Sequence, residues 1–121
     1  MKYLRLYADE EGESHVGEMA ASFAMADYAP PAPAFGVSPP VAAARYIFVD
    51  FPAGWTSGLH PAPRRQLFVV LSGRGEGGTS TGQTIVLGPG DVLLMEDTTG
   101  RGHSARALDG AGARAPMVHL E

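Results

Sequence analysis

The sequence predicts an all-β domain folded as a single jelly-roll barrel. Three observations carry this. Glycine and proline are frequent, 16 and 10 among 121 residues, which favours turns over long helices. Short β-branched and apolar runs recur, the clearest being Leu67 to Leu71. Turn signals separate these runs at regular spacing, which gives about eight or nine short strands. A chain of this length forms one domain and buries roughly two-thirds of its unfolded surface, so it needs no covalent staple.

Along the chain, residues 1–15 read as a short strand and a polar loop. Val16 to Ala26 is apolar enough for a strand, although its Ala and Met content makes a helix the rival assignment. Tyr28 to Pro40 is proline-rich and reads as an extended crossing segment, with Tyr28, Phe35 and Val37 available for burial. Val41 to Phe51 is rich in aromatic and β-branched residues and predicts a strand. Arg65 to Leu71 is the strongest strand. Gly75 to Ser80 and Gln83 to Leu87 flank a Thr81-Gly82 turn and read as a hairpin. After the Gly88-Pro89-Gly90-Asp91 turn, Val92 to Glu96, Gly102 to Leu108 and Arg114 to Leu120 complete the set. Residues 1–40 are taken as N-terminal strands and crossing segment, and residues 41–121 as the barrel proper, within the same domain.

Composition narrows the function. The net charge is −4 with no basic run, which argues against nucleic acid and anionic membrane as partners. There is no cysteine, hence no thiolate ligand or cysteine nucleophile. Lys2 is the only lysine and lies at the start of the chain, which disfavours Schiff-base chemistry. The first residues are acidic, with no apolar run of signal-peptide type, and no later stretch has bilayer-spanning length. The expectation is a cytoplasmic protein.

Two segments carry candidate chemistry. In the first, Gly54 is followed by His60, Gln66 and Gly73. In the second, Thr98-Thr99-Gly100-Arg101-Gly102 leads to His103. By strand alternation Gln66, Phe68 and Val70 share one face. Gly73-Arg74-Gly75-Glu76-Gly77-Gly78 satisfies a dinucleotide-binding pattern but precedes a hairpin rather than a helix, so it forms no phosphate site.

These segments resemble the two motifs of the cupin superfamily, small jelly-roll barrels built around a central site. The first motif falls on Gly54, His60, Ala62, Gln66 and Gly73, and the second on Thr98, Gly100, His103 and Ala107. The resemblance spans roughly residues 41–120. It implies a single-domain cupin barrel (a double-stranded β-helix) with His60, Gln66 and His103 pointing inward, and it implies a homodimer. Metal-binding cupins carry three histidines and a glutamate. Here Ala62 stands for the middle histidine and Gln66 for the glutamate.

The resulting expectation is a small enzyme acting on a small organic molecule. His60, His103 and Gln66 are the catalytic candidates, through acid–base chemistry of isomerase, cyclase, dehydratase or decarboxylase type. Alternatively the same three residues hold one divalent ion (Zn, Fe, Ni, Cu or Mn), for metal-assisted or dioxygenase-type chemistry. A further alternative is a non-catalytic module that binds a small metabolite. Trp55, Phe68, Arg64 and Glu96 are the substrate-binding candidates. Asp97 is read as capping the Thr98-Thr99-Gly100 turn. His15 and His119 are assigned surface or packing roles.

Overall fold

The computed structural model describes residues 1–121 as twelve strands and no helix. They are Lys2–Ala8 (β1), Ser14–Ala20 (β2), Ala24–Ala26 (β3), Phe35–Val37 (β4), Ala43–Phe51 (β5), Thr56–His60 (β6), Gln66–Val69 (β7), Gly75–Thr79 (β8), Thr84–Leu87 (β9), Val92–Met95 (β10), His103–Ala107 (β11) and Ala113–Leu120 (β12). No helix is long and apolar enough to cross a membrane.

Two sheets make the jelly roll. The larger runs β2-β1-β10-β7-β12-β5 and the smaller β6-β11-β8-β9. Only β1 and β10 pair in parallel. Because β1 lies between β2 and β10, the N-terminal strands are built into the large sheet.

The inner face of the large sheet is organised in cross-strand rows, because a period of two keeps alternate residues on one side. One row reads Val16, Leu6, Met95, Gln66, His119, Arg45. The adjacent row on the same face reads Leu4, Leu93, Phe68, Met117, Ile47. Leu6, Val70, Leu87, Leu93 and Met95 pack with Ala62 into the core. Ser14 is wholly buried and fastens the large sheet to the small one. Its hydroxyl donates to the Gly102 carbonyl at 2.7 Å and accepts from the Ser80 amide at 2.9 Å.

Thr56–His60 is a strand because it pairs with β11, which supplies hydrogen bonds that its composition does not advertise. Two sequence expectations are corrected. Val16 to Ala26 is split between the end of β2 and β3. Tyr28 to Pro40 does not bury its aromatics. β3 and β4 form a separate two-stranded ribbon. Tyr28 and Phe35 stack edge to face on each other, 5.8 Å apart, and stay exposed.

Candidate active site

A cavity of about 490 Å³ lies between the two sheets. It stays open because the facing positions on the small sheet carry little side chain. Ala105 and Ala107 on β11 pair with Gly77 and Gly75 on β8, and all four line the space. Across from them stand Phe68, Met117 and Ile47 of the large sheet. Bulk on one wall faces backbone and methyl groups on the other, and the space between them is the void.

His60 and His103 meet at the polar end. They are direct partners across β6 and β11, with ring centroids 4.7 Å apart and planes tilted by 51°. His103 is buried and His60 is exposed at the rim. The His103 Nδ1 lies 2.6 Å from Asp97 Oδ2, and Asp97 is completely buried. A carboxylate accepts, so Nδ1–H donates and the Nε2 lone pair of neutral His103 is free. His60 is set the same way, its Nδ1 donating to the Gly58 carbonyl at 2.9 Å. Gly102 makes the approach possible. Its φ is +73°, and a Cβ there would overlap the backbone carbonyl of His60.

Gln66 stands on the opposite wall, 2% exposed. Its Nε2 reaches only Met95 Sδ at 3.6 Å, and its Oε1 has no partner. A buried acceptor without a donor is uncommon and invites a ligand or water. The next residue in the row is His119, which also lines the cavity. Its Nδ1 accepts from Arg45 Nε at 3.1 Å, which leaves the proton of the neutral ring on Nε2. Burial, with the Arg64 and Arg45 charges nearby, lowers the pKa of His119 below the usual 6.5 and favours that neutral ring.

Of the residues expected from sequence, His60, Gln66, His103, Trp55, Phe68 and Arg64 all line this cavity. Glu96 does not, and the expectation that it contacts substrate is corrected. Strand parity turns it away, between Arg5 Nε at 2.6 Å and Arg65 Nε at 2.5 Å. Burial alone would raise its pKa, but the hydrogen bonds and charges of Arg65 and Arg5 prevail and hold it below the usual 4.5. The capping role given to Asp97 is also corrected, since its side chain buries against His103 instead. Ala62 packs in the core rather than on the cavity wall. His15 pairs with Asp9 at 2.6 Å, away from the cavity. Sequence reasoning missed the site roles of Asp97 and His119. Parity offered a signal for His119, since it shares a face with Met117 and Ala115.

The architecture has solved counterparts. The cupin domain of Schizosaccharomyces pombe Cnp3 superposes on all of this chain and 83% of its own, with a TM-score of 0.51 at 16% identity. The chain has a cupin fold. An RmlC-like cupin protein from Desulfovibrio desulfuricans is similar over 98% of this chain and 81% of its own, with a TM-score of 0.47 at 17% identity. No family model matches the sequence, and no curated protein does.

Within this cupin fold the donor chemistry suits a divalent ion. His60 and His103 each keep Nε2 for coordination, and Asp97 behind His103 is the kind of outer partner that ligating imidazoles use. On the opposite wall the unpartnered Gln66 Oε1 is a neutral oxygen donor. No group of three or more His, Cys, Asp or Glu side chains is placed to hold an ion together, and Asp97 is engaged by His103 Nδ1, so no carboxylate would ligate such an ion directly.

Proposed function

We propose that this cupin is a small acid–base enzyme acting on a small organic molecule held in the barrel. The observation that carries this reading is the buried Asp97 hydrogen-bonded to His103, with His60 beside it. Asp97 holds His103 in one tautomer and offsets the charge the ring acquires on taking a proton. His103 Nε2, on a buried ring, then serves as base. His60, at the solvent edge, takes a proton from bulk water on Nε2 and, as the imidazolium, serves as the acid. Removal of a proton next to a carbonyl by His103, with protonation of that carbonyl oxygen by His60, is the first step of isomerisation, dehydration or cyclisation. Gln66 Oε1 accepts a hydrogen bond from the bound molecule.

A second reading is favoured by the unpartnered Gln66 oxygen together with two free Nε2 lone pairs. In it His60, His103 and Gln66 hold a divalent ion, which when bound supplies Lewis acidity to an oxygen of the substrate.

Proton exchange tests the first reading. Small carbonyl compounds are incubated with the protein in D2O, with chelator present, and loss of the α-proton signal is followed by NMR. Catalysed exchange that falls about 10²- to 10⁴-fold in His103→Ala and in His60→Ala supports it. Exchange that is unchanged in both variants, or absent for every compound, refutes it.

A further inference from the structure

We infer that the cavity is built for an amphipathic carboxylate, with the anionic group seated on Arg64 and His119 and an apolar or aromatic tail reaching Trp55. This deepens the acid–base reading and rests on it for the site, but the seat is argued from different residues.

Charge balance comes first. Three arginines line the cavity. Arg106 is paired with Glu76 at 3.1 Å, and Arg114 lies 3.5 Å from Asp50. Arg64 is the one with no carboxylate and no hydrogen-bond partner. Arg45, which does not line the cavity, has no carboxylate either and spends its Nε on His119. Arg64 therefore brings a positive charge to the His119 end of the cavity without an anion from the protein. A bound carboxylate pairs that charge and accepts from the arginine fork.

Donor direction comes second. With Nδ1 occupied by Arg45, neutral His119 presents Nε2–H, a donor and not an acceptor. No partner takes that hydrogen. Beside it, Gln66 Oε1 is buried with nothing to accept from. One donor and one acceptor, both unmatched, stand on neighbouring strands of one row. They fit a molecule with an anionic oxygen and a hydroxyl or N–H nearby.

Shape comes third. Along β12 the cavity runs from His119 to Ala113, six positions or roughly 20 Å of strand. Its far end is aromatic. Ala113 pairs with Phe51, whose ring lies 4.7 Å from Trp55 and 6.4 Å from Phe68. The charged side chains at the ring end are already paired, Arg106 with Glu76 and Arg114 with Asp50, whereas the unpaired polar groups gather at the His119 end, so the occupant is polar at that end.

Trp55 is the only tryptophan, so its fluorescence reports occupancy of the aromatic end. The probes are benzylpyruvate and benzylacetone, which differ in carrying a carboxylate or a methyl group on the same ketone. Titrations use the full chain with chelator throughout, so that a carboxylate held by a metal is not mistaken for one held by Arg64. Benzylpyruvate is expected to quench Trp55 saturably, with a Kd at least tenfold below that of benzylacetone. Arg64→Gln, an exposed substitution that leaves the core intact, and His119→Gln should each narrow the gap severalfold. His103→Ala should leave it in place. Equal affinities for the two probes, no saturable binding of benzylpyruvate, or a gap untouched by Arg64→Gln overturns the seat. Selective binding without α-proton exchange refutes the acid–base reading alone, and exchange without carboxylate preference refutes the seat alone.

Discussion

His60 and His103 face each other as paired positions of β6 and β11, their rings 4.7 Å apart, and only His103 is backed by a buried carboxylate. In the proposed reaction this asymmetry would divide the labour. A proton taken by His103 would rest on a buried ring, while one given by His60 would be replaced from solvent.

Replacing Asp97 by Asn tests that division. The carboxamide keeps the shape, but its N–H can donate to His103 Nδ1 and move the ring proton to Nε2, where the base must act. Exchange activity is expected to fall about 10²- to 10⁴-fold with the fold retained. The proton position on His103, read by nitrogen NMR, should switch between the two proteins. Full activity in Asp97→Asn would exclude a tautomer-fixing role.

The Gly102→Ala substitution should separate the two rings. Its positive φ and the His60 carbonyl against it leave no room for a methyl group. A stability loss of about 1–3 kcal/mol is expected in urea unfolding. The His60 and His103 side-chain resonances should shift as well. Gly110→Ala, where a Cβ meets open space, is the control and should change neither.

The metal reading makes its own prediction. Gln66→Glu puts an anion where the neutral oxygen stands, so zinc affinity measured by calorimetry should rise at least tenfold. His103→Ala should remove that gain. If zinc affinity is the same for Gln and Glu at position 66, this side chain does not touch an ion.

Acid stability should depend on Glu96. Its pKa lies below 4.5 in the folded chain, so the unfolded chain binds more protons as pH falls. The Arg5–Glu96–Arg65 cluster therefore contributes stability that is fully present above pH 4.5 and is lost as pH drops through the lower folded value. Glu96→Gln should flatten the dependence of the urea midpoint on pH in that window and lower the midpoint at neutral pH. An unchanged profile would mean that the ion pairs contribute nothing net.

Self-association is expected at the open edge of the large sheet. β5 has a neighbour on one side only, and its Tyr46 and Phe48 are 67% and 73% exposed with their rings edge to face. An unprotected apolar edge strand is a liability that a second copy removes. Light scattering should report a homodimer, and Phe48→Glu should shift it to a monomer. A monomeric wild type at micromolar concentration would rule this out.

The sequence by itself determined the class of fold, most of the strands, and six of the residues that line the cavity. Turn residues and period-two patterning are local properties, so β7, the β8–β9 hairpin, β10 and the alternation that puts Gln66 and Phe68 on one face were legible, while the inward direction of Gln66 came from the motif resemblance. So was the nearness of His60 and His103, through the glycine-flanked motifs around them. Tertiary structure alone decided the rest. Asp97 looked like a turn residue because turn chemistry and a buried partnership use the same side chain, and only the folded chain brings His103 to it. Glu96, its neighbour, was lost to the other face by one step of parity. His119 looked like a packing residue because its partners, Arg45 and Gln66, come from strands far away in sequence. Register between distant strands is set by the packing of the whole sheet, and no local pattern encodes it.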